Sequence, residues 1–388
     1  MSVFRPTASP FAPFGPIATL GVLALAAASS AWAAEPLIVG VQAPITGQYA
    51  NEGQGIADAV KLLVKQQNAK GGLLGQVLEV KVCDDQGQAA PAAICARQLI
   101  NDKAFAIIGS YTSGAALAAQ SLYARANVIQ TSDGTSDELT AKGVKTFFRN
   151  APPNSAEAIF TAQYFKDKGY KKIAIVTDHS SFATGLADAV AAEVKKTGAE
   201  VLDKAFIEAG SQNYTPVLTK LKGLNPDVLY FSGYYNDGGL IKAQMAQLGM
   251  NAPFVGGDAN QNVAFAKIAG KAVTGTTIIN VPAPADLPYP AAKQFLAEYK
   301  TAYGHEPPSI FTLTNADGLR AIIATAEKVK SVKPDVLIPA LHQLKNFQGL
   351  TGEFSWDDKG ERIGSPFVAF TVNADGSYTI VYPASATK

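Results

Sequence analysis

The sequence predicts an α/β protein made of two doubly wound lobes, each built on a parallel sheet. Short apolar runs alternate with amphipathic stretches along most of the chain. This alternation restarts after Pro152-Pro153, and a second proline-rich break follows at residues 280–290. Strands that alternate with helices form parallel sheets covered by helices on both faces. The 388 residues are also enough for about two domains.

Apolar runs and helix-stop signals predict the individual elements. In the first half, strands are expected at 37–41, 77–83, 105–108 and 128–130, and helices at 56–67, 92–100 and 115–124. In the second half, strands are expected at 172–176, 200–205, 227–231 and 253–255, with a helix at 184–196 that ends at Gly198. Helices follow the second break, and two or three short strands are expected from about residue 352 onward.

The first 33 residues are typical of a secretory signal peptide. An apolar run at 17–28 precedes the small-residue cleavage pattern Ala31-Trp32-Ala33. The alternative is a membrane anchor, but the run is shorter than the ~20 residues that cross a bilayer. We therefore expect an exported protein whose mature chain begins near Ala34.

Charge and cysteine content exclude several classes of partner. The formal net charge is +1, so no basic surface is expected to bind nucleic acid or an anionic membrane. Cys83 and Cys95 are the only cysteines. In an oxidising compartment they are predicted to form a disulfide, and the alternative is two small buried side chains. Two cysteines and three scattered histidines do not make a typical zinc site, so no metal is expected.

Enzyme signatures are weak. The segment GQGIAD at 53–58 resembles a dinucleotide-binding loop, but it lacks the third glycine and begins too far from the preceding strand. The sequence contains no P-loop and no G-x-S-x-G nucleophile turn. We expect neither catalysis nor a bound cofactor.

Hydroxyl-rich loops follow two strands of the first lobe. Ser113 and Gly114 stand at the start of the helix after strand 105–108, where free N–H groups favour an anion. The alternative is that Thr112 or Ser113 only caps this helix. Thr135 and its neighbours follow strand 128–130 and could donate to the same anion, although ordinary turn chemistry explains them equally well.

The second lobe offers different groups at its strand ends. Tyr234 follows Gly233 after strand 227–231, and Phe182 follows the first strand of this lobe. Core packing is the alternative for both rings. Asp258 stands after two glycines at the end of strand 253–255, facing the cleft predicted between the lobes.

These loops, in this order, resemble the branched-chain amino-acid substrate-binding proteins of bacterial ABC transporters, which have the type I periplasmic-binding fold. The similarity covers essentially the whole mature chain, and the ordered set is more specific than any single segment. The segments are VGVQAPITGQYANEGQGIADAVKLLVKQQNAKGGLLGQ (39–76), CDDQGQAAPAAICARQLI (83–100), DELTAKG (137–143), KIAIVTDHSSFATGLADAV (172–190), YFSGYYNDGG (230–239) and TGEFSWDDKGER (351–362).

The resemblance implies an amino-acid site. Ser113 with the adjacent main-chain N–H groups at Gly114, and Thr135 with the backbone near Gly134, would hold the ligand carboxylate. The ligand ammonium would meet Asp258, Tyr234 and a carbonyl close to Asp133.

Three features depart from the family. Phe182 stands where a tyrosine usually closes over the ligand. Glu52 aligns with a tryptophan of the side-chain pocket, and Tyr49, three residues earlier, either replaces that ring or only packs. Cys83 and Cys95 do not coincide with the usual cysteine pair of the family.

The resemblance also implies a discontinuous domain organisation. The first lobe is expected at 34–150 plus 284–360, and the second at 151–283 plus 361–388. Three hinge crossovers are expected near 150–154, 280–285 and 361–366. The expected function is a monomeric periplasmic carrier that passes a small amino acid to a membrane permease. The alternatives are a carrier for a short amide or an aromatic carboxylate, or an exported enzyme.

Overall fold

The computed structural model describes residues 35–364 and 366–383. The predicted signal peptide lies outside the described residues. The first stretch contains β1 (Leu37–Ala43), α1 (Ala50–Ala69), β2 (Leu78–Asp84), α2 (Ala89–Asn101), β3 (Ala104–Ile108), α3 (Ser113–Arg125), β4 (Ile129–Ser132), α4 (Glu138–Ala141) and β5 (Phe147–Arg149). The second contains α5 (Asn154–Lys168), β6 (Lys172–Thr177), α6 (Ser181–Lys196), β7 (Glu200–Phe206), α7 (Thr215–Gly223), β8 (Val228–Ser232), α8 (Tyr235–Gln247), β9 (Phe254–Gly256), α9 (Val263–Ala269) and β10 (Thr277–Asn280). The third contains α10 (Pro290–Tyr303), α11 (Phe311–Val329), α12 (Pro334–His342), β11 (Phe347–Gly349), β12 (Gly352–Trp356), β13 (Arg362–Ile363), β14 (Val368–Val372) and β15 (Tyr378–Tyr382).

The first lobe is built on a five-stranded sheet in the order β2-β1-β3-β4-β5. All of its strand pairs are parallel, as the alternation of strands and helices predicts. Helix α1 buries Ile56, Val60 and Leu63, which recur at helical spacing, and it packs against α11 from the later part of the chain. The apolar spacing in the sequence therefore corresponds to the buried face of this helix.

The second lobe is built on a seven-stranded sheet in the order β15-β14-β10-β9-β8-β6-β7. Strands β6 to β10 are parallel, which confirms the prediction for this half. Strands β14 and β15 come from the far end of the described chain and pair antiparallel at one edge. Antiparallel edge strands on otherwise parallel sheets are common. Every strand predicted between 172 and 255 lies in this sheet.

The chain passes between the two sheets three times, after β5, after β10 and after β13. Strand β13 pairs antiparallel with β12, so the small sheet β11-β12-β13 continues to Ile363, beyond the expected first-lobe limit at 360. Buried Trp356 ties this small sheet to the first lobe, because its Nε1 donates to the carbonyl of Arg149 at 2.7 Å. The detailed lobe limits and the three hinges stay predictions.

The predicted disulfide is present between Cys83 in β2 and Cys95 in α2, with the two Cα atoms 5.5 Å apart. It joins an outer strand of the first sheet to the helix that follows it. In the two described ranges, no helix is both long and apolar enough to cross a membrane.

Candidate ligand-binding cleft

Side chains from strand ends of both lobes meet around one small cavity. In parallel sheets the carboxyl ends of the strands share one edge, which explains why distant sequence segments converge here. The lining residues are Tyr111, Ser113, Asp133, Thr135, Phe182, Tyr234, Asp258, Ala259 and Phe311. A larger, mostly apolar cavity lies elsewhere, between α10 and the β14–β15 turn. None of the residues predicted to bind ligand lines that larger cavity.

The start of α3 forms one end of the small cavity. Thr112 caps this helix, since its Oγ1 accepts the N–H of Ala115 at 3.4 Å. The N–H groups of Ser113 and Gly114 belong to the first helical turn, which has no intrahelical acceptor for them. The Ser113 hydroxyl oxygen accepts the N–H of Ser136 at 3.1 Å, which leaves its own proton available to donate. This end of the cavity is therefore suited to an anion.

The loop after β4 is held rigidly behind these donors. The Asp133 carboxylate accepts hydrogen bonds from Thr314 Oγ1 at 2.9 Å and from the side-chain amide of Asn315. Arg149 is fully buried and donates to the carbonyl of Gly134. Burial raises the pKa of Asp133, which the hydrogen bond from Thr314 partly offsets. The Asp133 side chain thus anchors the loop to α11 while also bordering the cavity.

Asp258 of the second lobe borders the opposite end of the cavity, and a second buried acid, Glu157, contacts it from behind. Asp258 is 4% exposed and Glu157 is 1% exposed. The Glu157 Oε1 accepts the backbone N–H of Asp258 at 3.2 Å and the hydroxyl of Tyr230 at 3.3 Å. Asp258 Oδ1 accepts the N–H of Ala259 at 2.7 Å. No sequence pattern singled out Glu157, which is the fourth residue of α5.

Burial dominates the protonation of this pair. Loss of water raises the pKa of Asp258 to about 7 and raises that of Glu157 well above its usual range. The hydrogen bond between the two carboxyl groups lowers the pKa of Asp258 and raises that of Glu157. Burial therefore disfavours ionisation of both acids, and Asp258 is the one that borders the cavity, where a cation would meet it.

Aromatic rings enclose the space between the two ends. The ring centroids of Phe182 and Tyr234 lie 5.0 Å apart, and those of Tyr111 and Phe311 lie 5.5 Å apart. The buried Tyr111 hydroxyl has no hydrogen-bond partner among the described residues, so it is free to bind a ligand atom. Tyr49 packs behind these rings, with its ring centroid 4.4 Å from that of Tyr234 and the two ring planes tilted by 44°.

Of the nine residues predicted to bind ligand, six line the cavity: Ser113, Asp133, Thr135, Phe182, Tyr234 and Asp258. Gly114, Gly134 and Tyr49 do not appear among its described lining residues. Glu52 does not line it either. Its carboxylate accepts Asn262 Nδ2 at 2.6 Å and Ser309 Oγ at 2.7 Å instead.

Comparison with known proteins agrees with this architecture. A family model described as periplasmic binding protein matches residues 36–377. The Leu/Ile/Val-binding protein BraC3 of Rhizobium johnstonii is 30% identical over 337 residues, which are 85% of this chain and 90% of that protein.

Two solved structures share the fold. The leucine-binding protein LivK of Thermotoga maritima superposes with a TM-score of 0.83 at 25% identity, covering 89% of this chain and 97% of that one. The branched-chain amino-acid transporter substrate-binding protein LivJ of Streptococcus pneumoniae, solved with isoleucine, gives a TM-score of 0.81 at 27% identity. That match covers 90% of this chain and the whole of the other.

Proposed function

The chain belongs to the periplasmic binding protein family, and from this premise we propose that it is the substrate-binding component of an ABC transporter that captures a small apolar α-amino acid. Branched-chain amino acids are the first candidates, because the similar proteins named above are a Leu/Ile/Val-binding protein, a leucine-binding protein and a branched-chain amino-acid binding protein solved with isoleucine. The carrier acts as a monomer in the periplasm after removal of a signal peptide, and it delivers its ligand to a membrane permease. It has no catalytic role.

One observation supports the amino-acid assignment above all others. The cavity has donors suited to a carboxylate at Ser113 and Thr135, and an ionisable acid at Asp258 on the other side. A zwitterion matches both ends, whereas a simple carboxylate would leave Asp258 facing no cation. Burying an acid without a partner is costly, so the paired arrangement favours a ligand with an ammonium group.

The proposal is tested by calorimetry on the refolded mature protein, stripped of any copurified ligand. Leucine, isoleucine and valine should bind, and 4-methylpentanoate, the desamino analogue of leucine, should bind far more weakly. Benzoate and acetamide serve as probes of the two alternative ligand classes. A thermal shift gives a second measurement, because ligand at 100 times its Kd adds about 2.7 kcal/mol of stability.

Equal affinity for leucine and 4-methylpentanoate would show that the protein does not recognise the ammonium group. Preference for benzoate or acetamide would support the alternative carriers, and turnover of any of these compounds would support an enzyme. Small-angle scattering should also show compaction when ligand is added, because hinged lobes close around a ligand at their interface.

A further inference from the structure

Outside the cavity, the side-chain amide of Asn262 in the second lobe forms hydrogen bonds with residues of the first lobe. Asn262 is 1% exposed and precedes α9, where its Oδ1 caps the helix by accepting the N–H of Ala264 at 2.7 Å. The same oxygen accepts Asn51 Nδ2 at 2.9 Å, and Asn262 Nδ2 donates to Glu52 Oε1 at 2.6 Å. Both of these partners lie on α1 of the first lobe.

Further bonds surround this contact. Ser309 Oγ donates to the second oxygen of Glu52 at 2.7 Å, so both carboxylate oxygens have a donor. The N–H of Val263 donates to the carbonyl of Pro308 at 3.2 Å, which adds a backbone bond between the lobes. Asn262 is therefore bonded to the first lobe by its own side chain and by the residue that follows it.

We propose that Asn262 is a positioning residue for lobe closure, and that its pairing with Glu52 stabilises the closed, ligand-holding state without contact to the ligand. This inference rests on the proposed function, since it concerns the same cleft. It assigns Glu52 a role that differs from lining the side-chain pocket. It also explains why a fully buried acid stands on α1, where its oxygens receive one donor from each lobe.

The hydrogen bond between Asn262 and Glu52 should make ligand affinity in the variants depend on pH, because Glu52 is titratable. Burial raises the pKa of Glu52 from its ordinary 4.5 to about 7, against the opposing hydrogen bonds from Ser309 and Asn262. The other titratable groups that interact with Glu52 are Asp133, Tyr111, Tyr235, Tyr299 and Tyr378. The pKa of each tyrosine is raised, so these rings stay neutral between pH 5.5 and 8. Asp133 is unchanged in every variant, so its titration contributes equally to affinities that are compared at the same pH.

The test exchanges the two partners. N262D keeps the helix cap, because Asp and Asn cap equally well, but it places a second carboxylate against Glu52. Leucine affinity at pH 8 should fall by about a hundredfold or more, since like charges in contact cost several kcal/mol. The loss should shrink at pH 5.5, where one carboxyl takes a proton and donates to the other. The double variant E52Q/N262D restores a donor and an acceptor, so its affinity should return to within about tenfold of wild type.

N68D is the matched control. Asn68 bonds the N–H and the carbonyl of Leu78 at 2.8 and 2.9 Å inside the first lobe, so the same chemical change there acts only on fold stability. Its leucine affinity should stay near wild type. An N262D affinity within a few-fold of wild type, or a double variant no better than N262D, would overturn the proposal.

Scattering separates this inference from the proposed function. Ligand-free N262D should be more expanded than the ligand-free wild type, whichever ligand the protein takes. If the wild type binds no amino acid but N262D is expanded, only the proposed function fails. If the wild type binds leucine and N262D closes normally, only the role of Asn262 fails.

Discussion

Replacing Asp258 by alanine should strongly weaken binding of the best amino acid while leaving the fold intact. Asp258 follows β9 at the cavity and is buried, so an ammonium bound there is fully desolvated. Removing one partner of a desolvated, hydrogen-bonded charge pair costs about 2–5 kcal/mol, which is on the order of 30-fold to several-thousand-fold in affinity.

Glu157, the acid next to Asp258, determines where in this range the loss of binding free energy should fall. Glu157 lies directly behind Asp258 and accepts its backbone N–H. Once Asp258 is gone, the like charge that disfavours ionisation of Glu157 is gone too, and Glu157 can partly replace the counter-charge. We therefore expect the lower half of the range, about 2–3.5 kcal/mol. Asp258→Asn should fall between alanine and wild type, because it keeps hydrogen bonding and loses the charge.

Calorimetry with leucine and 4-methylpentanoate measures the effect. The desamino compound should bind the wild type weakly and lose little more in Asp258→Ala. Asp227→Ala is the control, because Asp227 accepts the N–H groups of Lys171 and Lys172 at the other end of the second sheet. If Asp258→Ala binds leucine within a few-fold of wild type, Asp258 is not the ammonium partner and the zwitterion model is wrong.

Three other results are expected. Glu157→Gln should bind leucine within about threefold of wild type by calorimetry, because burial and the neighbouring Asp258 favour the neutral form of this glutamate, and a loss above tenfold would contradict that expectation. Replacing Cys83 and Cys95 by alanine should lower the free energy of unfolding by about 3 kcal/mol in a urea titration, as expected for a loop of twelve residues, and two free thiols in the mass spectrum of the exported protein would refute the bridge. Arg149→Met removes the ion-pair partner that lies 2.7 Å from Glu361, whose side chain is 19% exposed. The free energy of unfolding should fall by about 3 kcal/mol, and an unchanged thermal unfolding temperature would count against a stabilising role for this ion pair.

The sequence allowed much of the fold to be predicted because local signals agree with tertiary structure. The apolar runs before Gly109 and Gly256 became β3 and β9, and the polar residues after them lie at the cavity. Strand ends of parallel sheets converge, so locating the strands was enough to locate Ser113, Thr135 and Asp258.

Other parts of the site depend on contacts that no local pattern encodes. Glu157 lies within a helix and looks like an ordinary helical acid, yet it accepts a hydrogen bond from Asp258, which is 101 positions away in the sequence. Glu52 and Asn262 are 210 positions apart and pair only because the lobes face each other. Phe311 is the first residue of α11, a helix whose apolar residues are mostly buried. In the sequence, Phe311 therefore looks like its neighbours in the core, and no pattern marks it as a cavity residue.

The return of the chain to the second sheet has a consequence for how the protein is made. The edge of β10 is covered by β14, but α10 to β13 must be synthesised between the two strands. Until β14 arrives, β10 presents an unpaired strand edge, which is a template for aggregation. Pairing across so long a separation also slows folding, because the loop must close before its contacts stabilise it. A nascent chain stopped before Val368 would therefore be prone to aggregate through β10, and keeping the chain unfolded until synthesis is complete avoids that hazard.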